Sequence, residues 1–196
     1  MKKRTALLQT LSIGILLCSI SSGAHESKAQ NRAVRVKDLH GTTRSIPDTT
    51  SKATVLIFIT TDCPIANTYA PEIQRIHAQC SRENIALYVV YADPSISLQQ
   101  VRRHVRDYGY RCPAIRDAKH TLVRMVNATM TPEAAVLLPD GKLIYRGRID
   151  DRYLDYGKKR TQPTRHDLRD VLHAVLQGKA NRTLVTTRAV GCFIPR

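Results

Sequence analysis

Among the side chains able to do covalent chemistry, Cys63 has the most telling surroundings. It lies in Thr54 to Glu72, TVLIFITTDCPIANTYAPE. The apolar run Val55 to Ile59 reads as a buried strand that ends in Thr60-Thr61-Asp62-Cys63-Pro64. A helix then begins near Pro71, or earlier at Pro64. A cysteine where a strand hands over to a helix lies close to backbone N–H groups without helical partners and to the positive end of the helix dipole. Both favour thiolate over thiol, and the thiolate is the reactive form. Thr60, three residues earlier, can place a hydroxyl beside the sulfur. Cys63 is therefore expected to be redox-active.

A thiol that attacks a peroxide or a disulfide needs a second group to finish the cycle. Peroxide oxidises it to a sulfenic acid that another thiol condenses with, and a disulfide substrate leaves a mixed disulfide. The chain has five cysteines. Cys18 falls in a leader-like segment, which leaves Cys63, Cys80, Cys112 and Cys192 and three complete pairings among them. Cys192, beyond the last helix in a tail with room to reach across the fold, is the candidate resolving thiol. It is equally a candidate for a plain structural disulfide. Cys112, before a proline at a strand start, is the alternative resolving thiol. Cys80 falls on the apolar stripe of a helix and reads as a small core residue, because free cysteine packs like a hydrophobe.

Other chemistries find less support. The seven histidines are spread out, and no pair has metal-ligand spacing, so neither a metal nor another cofactor is expected. Asp150-Asp151, between Arg148 and Arg152, reads as a salt-bridged surface loop in preference to a cation or substrate site. The formal charge is +15 over 196 residues, which raises nucleic-acid binding. The basic residues are scattered end to end, however, and without tryptophan the chain has few stacking platforms. A solvated basic surface is expected, with no specific nucleic-acid partner.

The elements that must position Cys63 follow in order. Residues 1–29 have the form of a secretory signal: Lys2, Lys3 and Arg4, a predominantly apolar stretch from Ala6 to Ile20, then small residues. The stretch is short for a membrane span, and its n-region has a bacterial look, so a periplasmic or secreted protein is expected. Residues 30–178 form one domain, and residues 179–196 a basic, irregular tail carrying Cys192. Val34 to Leu39 reads as an N-terminal strand or hairpin arm. Ile73, Ile76 and Cys80 mark a helix over residues 71–83. Ile85 to Ala92 is a second buried strand. Ser97 to Tyr108 is a helix expected to turn Leu98, Val101, Val105 and Tyr108 inward, with Gly109 as its cap and His104 on its polar side. A short strand over 112–117 and a short helix over 120–126 come next. Ala134 to Leu138 and Leu143 to Ile149 form a hairpin around Pro139-Asp140-Gly141-Lys142. Thr164 with Asp167 suggests a capping box for the last helix, whose stripe is Leu168, Val171, Leu172 and Val175. Two βα units with continuously apolar strands imply parallel pairing under helices. With the hairpin added, the fold class is α/β: a thioredoxin-like central mixed sheet flanked by helices, with an N-terminal strand or hairpin extension and a C-terminal tail.

At that point the chain resembles the redoxin group of the thioredoxin superfamily, the alkyl hydroperoxide reductase and thiol-specific antioxidant relatives, from about Val34 to Gly178. Thr60-x-x-Cys63-Pro64 is similar to the core of a peroxiredoxin site. Thr131-Pro132 before a strand resembles the cis-proline that faces the reactive cysteine in thioredoxin folds. The wording DCPIANTYAPE, TPEAAVLLPDGKLIYRGRIDDRY and GCFIP resembles secreted bacterial redoxin-domain proteins. The resemblance implies Cys63 as nucleophile, Thr60 as the group that polarises it, and Pro132 as shaper of the substrate groove. Its partners would be a peroxide or a protein or small-molecule disulfide, together with a thiol reductant. The chain departs from the peroxiredoxin pattern at Leu56 and Ala66, and Thr131-Pro132-Glu133 stands where the family's arginine would be, leaving Arg146 or Arg148 as spatial substitutes. Ala66 removes a Cys-x-x-Cys pair, and Asn67 a Cys-x-x-x-Cys copper site. One cysteine at the site leans toward peroxiredoxin-like chemistry. The reading from another class is a non-catalytic redoxin-fold binding domain with Cys63 in a structural disulfide.

Overall fold

A computed structural model describes residues 33–195; the expected signal segment, Cys18 included, lies outside the described residues. The centre is a six-stranded mixed sheet. Its strands are β3 (Thr54–Ile59), β4 (Ala86–Tyr91), β5 (Ala114–Arg116), β7 (Glu133–Leu137), β8 (Leu143–Gly147) and β11 (Val185–Thr186). Their order across the sheet is β11-β8-β7-β3-β4-β5. β3, β4 and β5 run parallel, β7 and β8 antiparallel, and β11 joins β8 in parallel. This is the thioredoxin-like α/β arrangement.

Every residue of β3 is buried, because both faces of the strand are covered. Val55, Ile57 and Ile59 point to one core. There they meet Ile73, Ile76 and Cys80 of α2 (Ala70–Arg82), Val101 of α3 (Leu98–Asp107), and Leu168 and Leu172 of α5 (Asp167–Leu176). Leu56 and Phe58 point to the other core, with Leu122, Val123 and Val126 of α4 (Thr121–Val126) and Ile46 of the hairpin β1 (Val34–Lys37) and β2 (Thr43–Ile46). A proline stands in the first turn of each helix that follows β3, α1 (Pro64–Thr68) and α2, where its missing N–H costs nothing. The two helix starts suggested at Pro64 and Pro71 are thus both used, with Tyr69 between them.

Three local expectations change. α3 buries Val101 and His104, while Leu98 and Tyr108 are exposed. The inward-facing histidine is tolerated because both ring nitrogens have partners: Nδ1 meets Tyr91 Oη and Nε2 meets Asn67 Oδ1, each at 2.9 Å. The Thr164/Asp167 capping box does not form. His166 is the N-cap of α5 and makes no side-chain bond, since the Thr164 hydroxyl donates instead to Asp151 at 2.6 Å. Asp150 and Asp151 are not a surface loop but are buried at 2 % and 3 % exposure, next to a small hairpin of β9 (Tyr153–Asp155) and β10 (Lys158–Lys159). Tyr69 Oη donates to Asp150 at 2.5 Å. Asp151 gathers the N–H groups of Thr164 and Arg165 and the guanidinium of Arg160.

The segment after Gly178 is also more ordered than its composition suggests. β11 extends the sheet, and β12 (Cys192–Phe193) pairs antiparallel with β6 (Met130–Thr131). Two glycines permit this. A Cβ on Gly147 would overlap Thr187, and one on Gly191 would overlap the Thr131 carbonyl oxygen. Within the described residues, no helix is long and apolar enough to cross a membrane.

The Asp151 cluster has a testable pH signature. Burial pushes this carboxyl up, but the Thr164 hydroxyl, the N–H groups of Arg165 and Thr164, and Arg160 outweigh it and hold the carboxyl well below its usual range. A folded value below the unfolded one stabilises the protein above the unfolded pKa and loses that contribution as pH falls through the folded value. Asp151→Asn is expected to cost roughly 1–2 kcal/mol at pH 7. In urea titrations across pH, its deficit against the unsubstituted protein narrows below about pH 4.

Candidate functional site

Cys63 closes the loop after β3 and is the N-cap of α1, with extended backbone. Its sulfur accepts from the Ala66 N–H at 3.4 Å, one of the N–H groups left free at a helix start. The thiol itself donates to the Thr131 carbonyl at 3.0 Å. The side chain is fully buried. The Thr131–Pro132 bond is cis, and the Thr131 carbonyl faces the Cys63 thiol just before β7. Glu133 steadies this corner from below. Its carboxylate accepts the Thr129 N–H at 2.7 Å and the Met130 N–H at 3.2 Å.

The structure brings Cys192 to the same place. β12 sets Cys192 opposite Thr131, and the Thr131 hydroxyl donates to the Cys192 carbonyl at 3.4 Å. That use of its only hydroxyl proton makes Thr60 the donor in the 3.4 Å contact between the Thr60 and Thr131 hydroxyls. Thr60 thus reaches the cysteine pair through Thr131. Burial raises the Cys192 pKa and the neighbouring Cys63 raises it further; the Tyr156 hydroxyl, 3.5 Å from the Cys192 sulfur, opposes them. All four described cysteines are thiols. Cys80 and Cys112 are buried in the core.

Neither candidate arginine is free to serve the sulfur. Arg146 donates to the Val126 and Asn127 carbonyls at 3.2 and 2.8 Å and lies 3.6 Å from Glu133. Arg148 grips Asp167 with two bonds of 2.7 and 3.2 Å.

A supporting network escaped the sequence reading. Asn67, where a second cysteine of a Cys-x-x-x-Cys pair would be, donates to the Thr61 carbonyl at 3.0 Å and meets His104. His104 in turn meets Tyr91 and stacks on Tyr108 at 4.3 Å between ring centroids. Burial lowers the His104 pKa, so a neutral ring bridges Tyr91 to Asn67 and pins the loop that carries Cys63. Its sequence signal was the spacing of Val101 and His104, three residues apart on one helix face. Nothing in the sequence marked Tyr156, which comes to Cys192 from a loop 36 residues away.

Comparison with known proteins gives the same outline. Residues 27–146 match the AhpC/TSA family. No curated protein matches the chain. Among solved structures, a hypothetical protein from Sinorhizobium meliloti is 25 % identical, with a TM-score of 0.69 over 84 % of this chain and 91 % of that one. A putative thioredoxin from Neisseria meningitidis is 21 % identical, with a TM-score of 0.59 over 76 % and 91 %. A secreted Mycobacterium tuberculosis disulfide oxidoreductase homologous to E. coli DsbE is 16 % identical, with a TM-score of 0.51 over 76 % and 98 %.

Burial separates the cysteines by reactivity. Desolvation pushes the Cys80 and Cys112 thiols up to about 12, so both are expected to stay unmodified by iodoacetamide at pH 8 in the folded, reduced protein and to label only on unfolding. Peptide mass mapping before and after denaturation checks this.

Proposed function

The chain belongs to the AhpC/TSA family, whose function is thiol-based redox chemistry, and on that footing we propose that it is an exported oxidoreductase in which Cys63 and Cys192 work as a pair in thiol–disulfide exchange. One observation carries this reading: both cysteines converge on Thr131, Cys63 through its thiol and Cys192 through strand register. The Cys63 thiolate attacks a substrate disulfide, forms one S–S bond and expels one substrate sulfur as a thiolate, which takes a proton. Cys192, as thiolate, then attacks the Cys63 sulfur and releases the second substrate sulfur. The substrate leaves as a dithiol, and the protein keeps a Cys63–Cys192 disulfide. An external dithiol returns it to the reduced form. Thr60 acts as a positioning residue by holding Thr131, and Pro132 shapes the groove. Export rests on the signal-like residues 1–29 and on the secreted protein of like fold.

The Thr60-x-x-Cys63-Pro64 core and the family keep peroxide reduction as the second reading. There Cys63 becomes a sulfenic acid as the peroxide is reduced to an alcohol or water, and Cys192 condenses with it to expel water. The committed state of Arg146 and Arg148 supports our ranking of exchange ahead of it.

Reduced protein is pulsed with a model disulfide or with peroxide, and the sulfurs are mapped by mass spectrometry. The expected product is a Cys63–Cys192 disulfide after the disulfide pulse. Cys63→Ser abolishes turnover, and Cys192→Ser stops at the mixed disulfide with turnover down about 100-fold or more. A sulfenic acid trapped on Cys63 after peroxide, with no reaction toward the disulfide, moves the assignment to peroxidase. A Cys63 inert to both leaves a binding domain.

A further inference from the structure

The strand beside Thr131 is filled by the chain's own end. β12 lies antiparallel on β6 with Cys192 opposite Thr131 and Phe193 opposite Met130. The Cys63 thiol points at the carbonyl of that same Thr131. Any sulfur carried on a strand in this register is delivered to Cys63, and while β12 is docked no other strand can be. The seal is thin. β12 has two residues, and Phe193 is 80 % exposed. Below Cys192, the Ile194 side chain (7 % exposed) and its N–H bond of 3.0 Å to the Thr129 carbonyl form the anchor. An open cleft of about 540 Å³, lined among others by Met130, Glu133, Arg146, Arg188 and Phe193, runs beside the strand and leaves room for a longer segment. Gly191 touches the Thr131 carbonyl so closely that a Cβ there would overlap it.

We propose that Gly191–Ile194 is a tethered competitor for a partner protein: it holds the strand position that an extended segment of that partner, with a glycine before its cysteine, takes to exchange disulfides with Cys63. The step rests on the reading of Cys63 as a reactive thiol. The oxidant is the partner's own disulfide. Cys63 bonds to the cysteine on the docked segment, and that cysteine's former mate leaves as a thiolate and is protonated. Release of β12 precedes docking, so the fraction of chains with β12 lifted scales the exchange rate. The space at Gly191 makes the residue before the partner's cysteine the point of selection.

The test uses reduced full-length protein and two synthetic extended peptides, one with Gly and one with Val before a cysteine activated as a 2-thiopyridyl disulfide. The rate of peptide addition to Cys63 is read by mass spectrometry as the sum of the Cys63–peptide adduct and the Cys63–Cys192 disulfide that resolves it. Ile194→Asp removes the anchor and is expected to speed addition of the Gly peptide about tenfold or more, with the Gly peptide faster than the Val peptide. Gly191→Val forces the tail off by a different route and is expected to do the same; cooperative thermal unfolding confirms that each variant is folded. Equal rates for the unsubstituted protein and both folded variants overturn the competitor, as does a Val peptide as fast as the Gly peptide in the variants. Iodoacetamide separates the two levels of the argument. If Cys63 takes neither iodoacetamide nor peptide even with the tail lifted, the reactive-thiol reading itself falls, and the competitor with it.

Discussion

Much of this structure is organised by the backbone and hydroxyl of Thr131. Its carbonyl accepts the Cys63 thiol, and its hydroxyl links Thr60 to the Cys192 carbonyl. Its strand pairs with the C-terminal segment, and the cis bond that follows turns the chain into β7. A fully buried polar residue must have its groups satisfied, since a buried donor or acceptor without a partner costs about 1–3 kcal/mol. Here the partners are the two cysteine segments, so satisfying Thr131 assembles the site. Glu133 adds a second constraint by holding the two N–H groups just upstream, which keeps the loop before Pro132 in a single shape.

The scaffold was legible where a pattern is dictated by one residue and its neighbours. A continuous apolar run announces a strand covered on both faces, and β3 and β4 are such strands. Cys63 was legible because a strand, a cysteine and a proline in that order describe the entry to a helix. Pairings between distant segments were not. Cys192 sits in a two-residue strand with no alternating pattern to read, and its register is set by the Thr131 corner, 61 residues away. Asp150 and Asp151 read as a solvated charge cluster because sequence shows charge and hides partners. Their burial depends on Tyr69 and Thr164, which chain order does not connect to them.

His104 teaches a related point. A hydrophobic stripe was expected on α3, yet the buried face carries an imidazole while a leucine and a tyrosine face outward. Burying a histidine is tolerable only when each nitrogen is paired, and the pair here comes from β4 on one side and α1 on the other. The result is a polar strut from the sheet to the loop carrying Cys63. That loop is gripped through Thr61 from this side and through Thr131 from the other, so the sulfur's position depends on elements from both halves of the sheet.

The close crossing of Gly147 and Thr187 sets the length of a leash. With Thr187 fastened against β8 by its N–H bond to the Arg146 carbonyl at 3.1 Å and its hydroxyl against Tyr145 at 2.7 Å, only the residues from Arg188 onward are released when β12 lifts. An extended chain spans about 3.4 Å per residue, so Cys192 can travel no farther than roughly 17 Å from that fastening. A thiol confined to so small a volume faces Cys63 at an effective concentration in the millimolar range. Recapture is therefore intramolecular, insensitive to dilution, and faster than encounter with a scarce competing thiol, which lets the chain return to its closed, paired state after each opening without help from outside.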